Sequence, residues 1–377
     1  MVDRRQVLGS AAALGWTMGR PAFAQSEKNI VLGQSVPLSG PSLLLGSQYN
    51  QGARLYFDTL NAKGGVNGRL IELKRLDDAM DPVQSAANTR QFIKDGVVAL
   101  FGYVGAQPSL AAVPLATEAK VPFFAPLSGA QSLRDPFNRY VFHVRASYFE
   151  ETSAIIRQAS TVGIKKIAVF YQDNDVGQAG LEDVVRALAP LSLKPVATAK
   201  ADANSTDVGP ALKTILAANP EAIIQIGTFK SSATFVRLAR QAGFKGNLYN
   251  LSLVDTQALS DELGAVARGV VVSQVMPFPY ASASAVSTEY LQALQASGLT
   301  ASTPNYTSME GFVAAKVFTE AARRAGKGLT RESLITALQS MQGYNVGGMS
   351  FEFGPDKNAG SRFVEMTMLT EDGKVRR

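Results

Sequence analysis

The chain has 377 residues, 46% of them hydrophobic, a formal net charge of +6 and no cysteine. That length predicts two domains with enough apolar material for a core in each, and the lack of cysteine excludes disulfide staples and thiol chemistry. Lysines and arginines are scattered rather than gathered into blocks or aromatic-interleaved stripes, so no nucleic-acid partner is expected despite the basic balance.

From its start the chain carries Arg4-Arg5, a largely apolar run from Val7 to Met18, and Ala22-Phe23-Ala24 before Gln25. This order predicts a cleavable export signal of twin-arginine type over residues 1–24, cut near Ala24-Gln25, and a periplasmic mature chain. The apolar run, about 12 residues, falls short of the roughly 20 that a membrane-spanning helix needs. With no cysteine to carry a lipid, a lipoprotein is excluded as well. Removing the segment takes Arg4, Arg5 and Arg20 against Asp3, which lowers the charge from +6 to about +4.

Short β-rich runs then alternate with patterns of helical period. A strand over Ile30–Val36 precedes a helix with Ala53, Tyr56, Phe57 and Leu60 on one face, stopped by Gly64-Gly65. Arg69–Leu76 reads as a strand, and Asp81-Pro82-Val83-Gln84 combines an N-cap, a proline at the first helical position and a capping-box glutamine. Strand Val97–Phe101, helix Gln107–Ala119 and strand Val121–Ala125 complete a parallel sheet wrapped by helices. A second such series begins near Tyr148, with Thr152, Ile155, Ile156 and Ala159 on one face, then strands Lys166–Tyr171 and Ala222–Gly227 and a helix bearing Phe235, Leu238 and Ala239. After the β-branched run Val270–Val275 and Pro277-Phe278-Pro279 the pattern turns helical through Ser340 and ends in strand-like pieces around Phe351 and Met366. The chain is therefore expected to cross between lobes more than once, through segments such as Val141–Ala146 and Ser273–Pro279.

The search for catalytic chemistry is decided by absences. The one histidine, His143, alternates onto the same face as Arg145 and reads as a structural or hinge group. A zinc site, a Ser-His-Asp hydrolase and a phosphate-binding glycine loop all lack their residues, so no metal and no cofactor are expected. Asp173-Asn174-Asp175-Val176-Gly177 fails the calcium-loop pattern, because the glycine comes one place early and Val184 stands where a bidentate glutamate belongs, and it reads as a strand-to-helix turn. Asp77, Asp78 and Asp81 read as strand-end and helix-cap residues. Two α/β lobes with a cleft remain, and such clefts favour small anions at helix N-termini facing the carboxyl ends of strands. Gly102-Tyr103-Val104-Gly105-Ala106-Gln107 and Leu127-Ser128-Gly129-Ala130 are the two loops that qualify.

Pro37-Leu38-Ser39-Gly40-Pro41, the block Asn61 to Arg69, Asp77-Asp78 with Asp81-Pro82, and Val121-Pro122 before Ala125-Pro126 together resemble the type I periplasmic solute-binding proteins of branched-chain amino acid importers, over essentially the whole mature chain. The resemblance implies two Rossmann-like α/β lobes joined by a three-segment hinge: residues 25–145 plus 277–344 in the N-terminal lobe, and 146–276 plus 345–377 in the C-terminal lobe. It also implies a ligand trapped by hinge closure, delivery to an ATP-driven membrane permease, a monomer, and no catalysis.

Carried over by position, the family's serine that contacts a ligand carboxylate falls at Gly105 or Ala106, leaving backbone N–H groups. The paired contacts after Ala125-Pro126 fall on Leu127 and Gly129, where the family commonly has a threonine at the second, so Ser128 is the nearest hydroxyl. Pocket aromatics of the family fall on Leu45 and Val176. Its acidic partner for the ligand ammonium falls near Ser252, with Asp255 as a substitute that reads better as an N-cap. A buried ammonium without a carboxylate is costly, so the expected ligand is a carboxylate lacking an α-amine, with an amino acid as the close alternative. Arg145 either pairs with that carboxylate or forms a hinge salt bridge; Tyr148 and Phe229 either sandwich the apolar body of the ligand or pack in the core. A sensor subunit for a signalling receptor, or an exported enzyme centred on His143, stand as alternatives.

Overall fold

The computed structural model describes residues 29–202, 205–299 and 303–377, so the export signal expected over residues 1–24 lies outside the described residues. β1 (Ile30–Val36), α1 (Leu43–Asn61), β2 (Ile71–Asp77), α2 (Pro82–Lys94), β3 (Ala99–Phe101), α3 (Ala106–Glu118), β4 (Phe123–Phe124) and β5 (Val141–Phe142) build a sheet of order β2-β1-β3-β4-β5. Its strands are all parallel, in registers such as Ile30 with Ile71, Leu32 with Ala99 and Phe124 with Phe142. β3 to β5 are buried throughout, as sheets covered on both faces require.

The second lobe follows with α4 (Tyr148–Thr161), β6 (Ile167–Asp173), α5 (Asp175–Leu188), β7 (Ala197–Asp202), α6 (Gly209–Ala217), β8 (Ala222–Ile226), α7 (Phe229–Gln241), β9 (Asn247–Asn250), α8 (Thr256–Leu263) and β10 (Val270–Gln274). The chain then returns to the first lobe as α9 (Ala285–Ala296), α10 (Tyr306–Ala325) and α11 (Arg331–Gln339), makes a small hairpin of β11 (Tyr344–Asn345) and β12 (Ser350–Phe351), and ends in β13 (Glu365–Leu369) and β14 (Val375–Arg376). The second sheet runs β14-β13-β10-β9-β8-β6-β7, parallel except that β13 is antiparallel to β10 and β14 to β13. The two-lobed mixed α/β architecture is the one that the sequence implies.

Local chemistry explains the helix starts. Asp81 accepts from the Val83 and Gln84 amides ahead of Pro82, but the reciprocal half of the expected capping box is missing, because the Gln84 amide turns to Asn88 at 3.1 Å. Asn174 caps α5 through Gly177 N at 2.9 Å, which makes the Asp173–Gly177 stretch the strand-to-helix turn expected. α1 lies against α10 at near-backbone contact, since a Cβ on Gly52 would fall 1.7 Å from the Ser308 carbonyl oxygen and one on Gly311 2.1 Å from that of Tyr49. The first-lobe core is aromatic, with Phe57 and Phe124 at 5.6 and 6.0 Å from Phe101; in the second lobe Phe170 stacks on Phe235 at 4.4 Å.

Val141–Phe142, read as linker, is the edge strand β5. The stretch around Asn358 and Gly360, expected in the C-terminal lobe, zips onto the end of β5. His143 N donates to Asn358 O and Gly360 N to His143 O, each at 2.8 Å, and Phe353 packs edge-on against Phe142.

Candidate functional site

The cleft between the lobes is walled by Leu45, Leu127, Tyr306, Thr307 and Glu310 of the first lobe, by Tyr148, Ser252 to Thr256 and Gln274 to Met276 of the second, and by Arg145 of the first crossover. It encloses about 30 Å³, room for one or two waters. The lobes are closed: Gln107, in the first turn of α3, donates to Asp175 of α5 at 2.6 Å across the mouth.

Of the two glycine-bearing loops only Leu127 lines the cavity; the expected residues Gly105, Ala106, Gln107, Ser128 and Gly129 stand outside its wall. Leu127 N donates to Tyr103 O at 2.8 Å and Gly105 N to Leu127 O at 3.3 Å, so the loops run side by side. Gly105 caps α3 at φ 88°, with no side-chain cap on the helix, and a Cβ there would fall 2.6 Å from Met80 Sδ. The amides of Ala106 and Gln107 start the helix where its dipole is positive. Ser128 is fully buried, and its hydroxyl accepts from Ala130 N at 3.2 Å. Gly129 cannot be the threonine that the family resemblance suggests: its Cβ would sit 2.5 Å from Tyr148 Cδ1, and its carbonyl takes Tyr148 N at 2.9 Å. Tyr148 thus occupies the space that a larger residue at 129 would need, in a helix start fixed by the Ser147–Glu150 capping box. Burial pushes the Tyr148 phenol up, against the pull of the Arg145 guanidinium.

The centre of the cleft floor is an ion network. Arg145 Nη1 stands 3.4 Å from Glu310 Oε2, and its Nη2 stands 3.5 Å from Glu151 Oε1 and donates to Ser252 Oγ. Glu151 is fully buried and accepts from Ser252 N at 2.8 Å, Ser252 Oγ at 2.9 Å and Ser273 Oγ at 2.6 Å. Burial would lower the guanidinium, but Glu310 and Glu151 outweigh it and hold Arg145 above its ordinary value. Burial pushes Glu310 up to about 7, with Arg145 opposing. In the cleft wall Glu310 Oε1 is buried without a hydrogen-bond partner, and Asp255 Oδ2 is buried beside the Gln48 side chain. The other oxygen of Asp255 caps α8 through Ala258 N at 3.0 Å, and burial raises this group as well.

Of the residues expected at the site, Leu45, Leu127, Arg145, Tyr148 and Ser252 meet in the cleft wall. Tyr103 does not: its hydroxyl meets Thr89 at 3.0 Å and its ring packs on Phe123 at 4.8 Å, inside the lobe. Val176 packs into the core of the second lobe, and Phe229 lies half-buried below Lys230; neither lines the cleft. Arg145 forms ion pairs with Glu151 and Glu310, the contact that one of its two expected roles describes. Glu151 and Glu310 escaped the sequence reading. Glu310 carried a usable signal, a lone carboxylate in the run Met309 to Ala315, whereas Glu151 resembles an ordinary first-turn acid. Asp255 proves to be both N-cap and cleft residue. His143 is fully buried outside the cleft wall, its Nε2 3.1 Å from Leu133 O, and burial holds it well below its ordinary value. Among the described residues no helix is long and apolar enough to cross a membrane.

Two Rossmann-like lobes closed over a polar-floored cleft define a type I binding protein for small solutes. The chain belongs to the periplasmic binding protein family, whose model matches residues 29–374. It is 24% identical to Leu/Ile/Val-binding protein homolog 8 of Brucella suis biovar 1, over 97% of this chain and 94% of that one. A substrate-binding periplasmic protein from Ralstonia solanacearum is 36% identical with a TM-score of 0.85, covering 92% of this chain and 99% of its own. A possible leucine/isoleucine/valine-binding protein from Rhodopirellula baltica SH 1 is 27% identical with a TM-score of 0.86, covering 94% and 98%. These relatives are binding proteins, and the periplasm is the location that the family implies.

Proposed function

We propose that this chain is the extracytoplasmic solute-binding protein of an ABC importer. It is exported by the signal over residues 1–24, works as a monomer without catalysis, and hands its ligand to a membrane permease. The ligand is a small apolar amino acid, captured by hinge closure. Its carboxylate would lie at the start of α3 and beside Ser128 and Gly129, where helix amides meet the end of β4. Its apolar body would pack on Leu45, Leu127, Tyr148 and Met276.

The observation that carries the choice of ligand is the pair of enclosed carboxylates in the cleft wall, Glu310 with its Oε1 unpartnered and Asp255 with only the Gln48 side chain beside its Oδ2. Arg145 is already engaged by two glutamates, so a plain carboxylic acid would add negative charge to a cleft with no free cation among its described lining residues. An ammonium supplies donors to these carboxylates. This reverses the preference for an amine-free acid that Ser252 suggested, and the names of the Brucella and Rhodopirellula relatives agree with an amino acid. Since the closed cleft holds only about 30 Å³, entry requires the lobes to open and the Gln107–Asp175 contact to break.

The test is thermal unfolding of the mature chain, stripped of co-purified ligand by unfolding and refolding, against leucine, phenylalanine and their desamino acids. Ligand at 100 times its dissociation constant adds roughly 2.7 kcal/mol to native stability. Stabilisation by the amino acids alone supports the reading. Stabilisation by the desamino acids alone returns the ligand to the amine-free class.

A further inference from the structure

A second cavity, of about 630 Å³, opens beside the hinge between the Gln131–Phe137 stretch, the start of α4 and the stretch from Asp356 to Arg362. Arg134 forms part of its wall and is itself only 9% exposed. Its Nη2 donates to the Arg145 carbonyl at 3.1 Å, but Nε and Nη1 are enclosed with no acceptor. Burial pulls this guanidinium down to about 10, and Glu150 provides the strongest opposing charge. An enclosed cation without a counter-charge costs several kcal/mol.

Among the described residues that counter-charge acts on Arg134 only from beyond ion-pair distance. Glu150 is committed elsewhere: its Oε2 accepts from Ser147 N at 2.7 Å and Ser147 Oγ at 3.1 Å, and its Oε1 pairs with Arg362 Nε at 3.2 Å. The remaining carboxylates of the cavity, Asp135 and Asp356, are exposed at its rim, where Arg157 also stands. Arg134 forms no ion pair within 4.0 Å among the described residues, unlike Arg145, whose carbonyl it holds.

We propose that this cavity is a binding site for a small oxyanion of the phosphate or sulfate type, with Arg134 as its buried anchor and Arg157 as its rim cation. An oxyanion presents several acceptors at once to N–H groups that have none. The walls come from the first lobe, the second lobe and the crossover between them, so occupancy is tied to the hinge geometry. The site is separate from the interlobe cleft and stands whatever the cleft binds.

Thermal unfolding in millimolar phosphate, sulfate or chloride at matched ionic strength tests this, with the wild-type mature chain, Arg134→Met and Arg157→Gln. The expected result is a wild-type midpoint raised by about 2 °C or more in phosphate or sulfate over chloride, no such rise in Arg134→Met, and a rise in Arg157→Gln that needs several-fold more anion. Equal shifts in all three proteins mark a general salt effect and overturn the site, as does a wild type indifferent to the oxyanions. Should Arg134→Met fail to fold, Arg157→Gln decides, and a response identical to wild type counts against the proposal.

Discussion

Arg145 Nη1 lies 3.4 Å from Glu310 Oε2, with the two side chains 3% and 5% exposed. Arg145 belongs to the first crossover and Glu310 to α10, while Glu151 and Ser252, which also hold Arg145, belong to the second lobe. A single guanidinium thus joins hinge and both lobes on the floor of the cleft.

Removing one member of a buried pair strands the other charge, at a cost of about 3–5 kcal/mol. Arg145→Met and Glu151→Gln should each lose roughly that much in denaturant unfolding, and the double variant should lose clearly less than the sum. Additive losses would mean that the two side chains are not energetically coupled.

The pH dependence of Glu310 has a definite sign. Its carboxyl is raised from 4.5 to about 7 by burial, so between those values the native state binds more protons than the unfolded chain, and this group removes stability as pH rises through the window. Glu310→Gln should be more stable relative to wild type at pH ~7.5 than at pH ~5, by roughly 2–3 kcal/mol at most. Parallel stability curves for the two proteins would show that Glu310 does not titrate in this range.

His143 acts with the opposite sign. Held well below 6.5 by burial and by Arg134, it keeps the native state short of a proton that the unfolded chain takes up, so its contribution is present above pH ~6.5 and lost below it. The stability advantage of wild type over His143→Gln should shrink by about 1.4 kcal/mol per unit below pH ~6.5 and be flat above it. A flat difference down to pH 5 would place the imidazole in contact with solvent.

Glycine positions sort by what a methyl group would meet. Gly52→Ala drives a Cβ to 1.7 Å from the Ser308 carbonyl oxygen, a clash with backbone that only separation of α1 from α10 relieves, and a loss above about 3 kcal/mol is expected. Gly163→Ala meets nothing within 4 Å and suffers only from φ +82°, so about 1 kcal/mol is expected. Similar midpoints for the two variants in urea unfolding would contradict the close helix contact.

Local chemistry carried much of the fold into the sequence. Asp81-Pro82, Asn174 to Gly177 and the buried run of β8 are short-range signals, in which cap, turn and periodicity lie within a few residues of each other, and they recur in the structure where expected. β5, β7 and β9 were not legible: β5 has two residues and β9 four, too few to show a period, and the inward positions of the six-residue β7 are alanines, which give a weak hydrophobic signal. The attachment of Asn358 and Gly360 to the end of β5 was hidden for a related reason: it runs through backbone bonds to His143, and backbone groups are the same in every residue.

By itself the sequence determined the two-lobed α/β class and the glycine loops at the strand ends, since these depend on residue type and spacing along the chain. Only the tertiary structure decided which charges face the ligand. Glu151 and Glu310 lie six and 165 positions from Arg145, and nothing in the sequence brings those three together. The same packing turned Tyr103 inward, seated Tyr148 against Gly129, and enclosed Asp255 Oδ2 in the cleft wall. Desolvation and pairing are properties of neighbours in space, so the polarity of the site was set when the lobes closed on it.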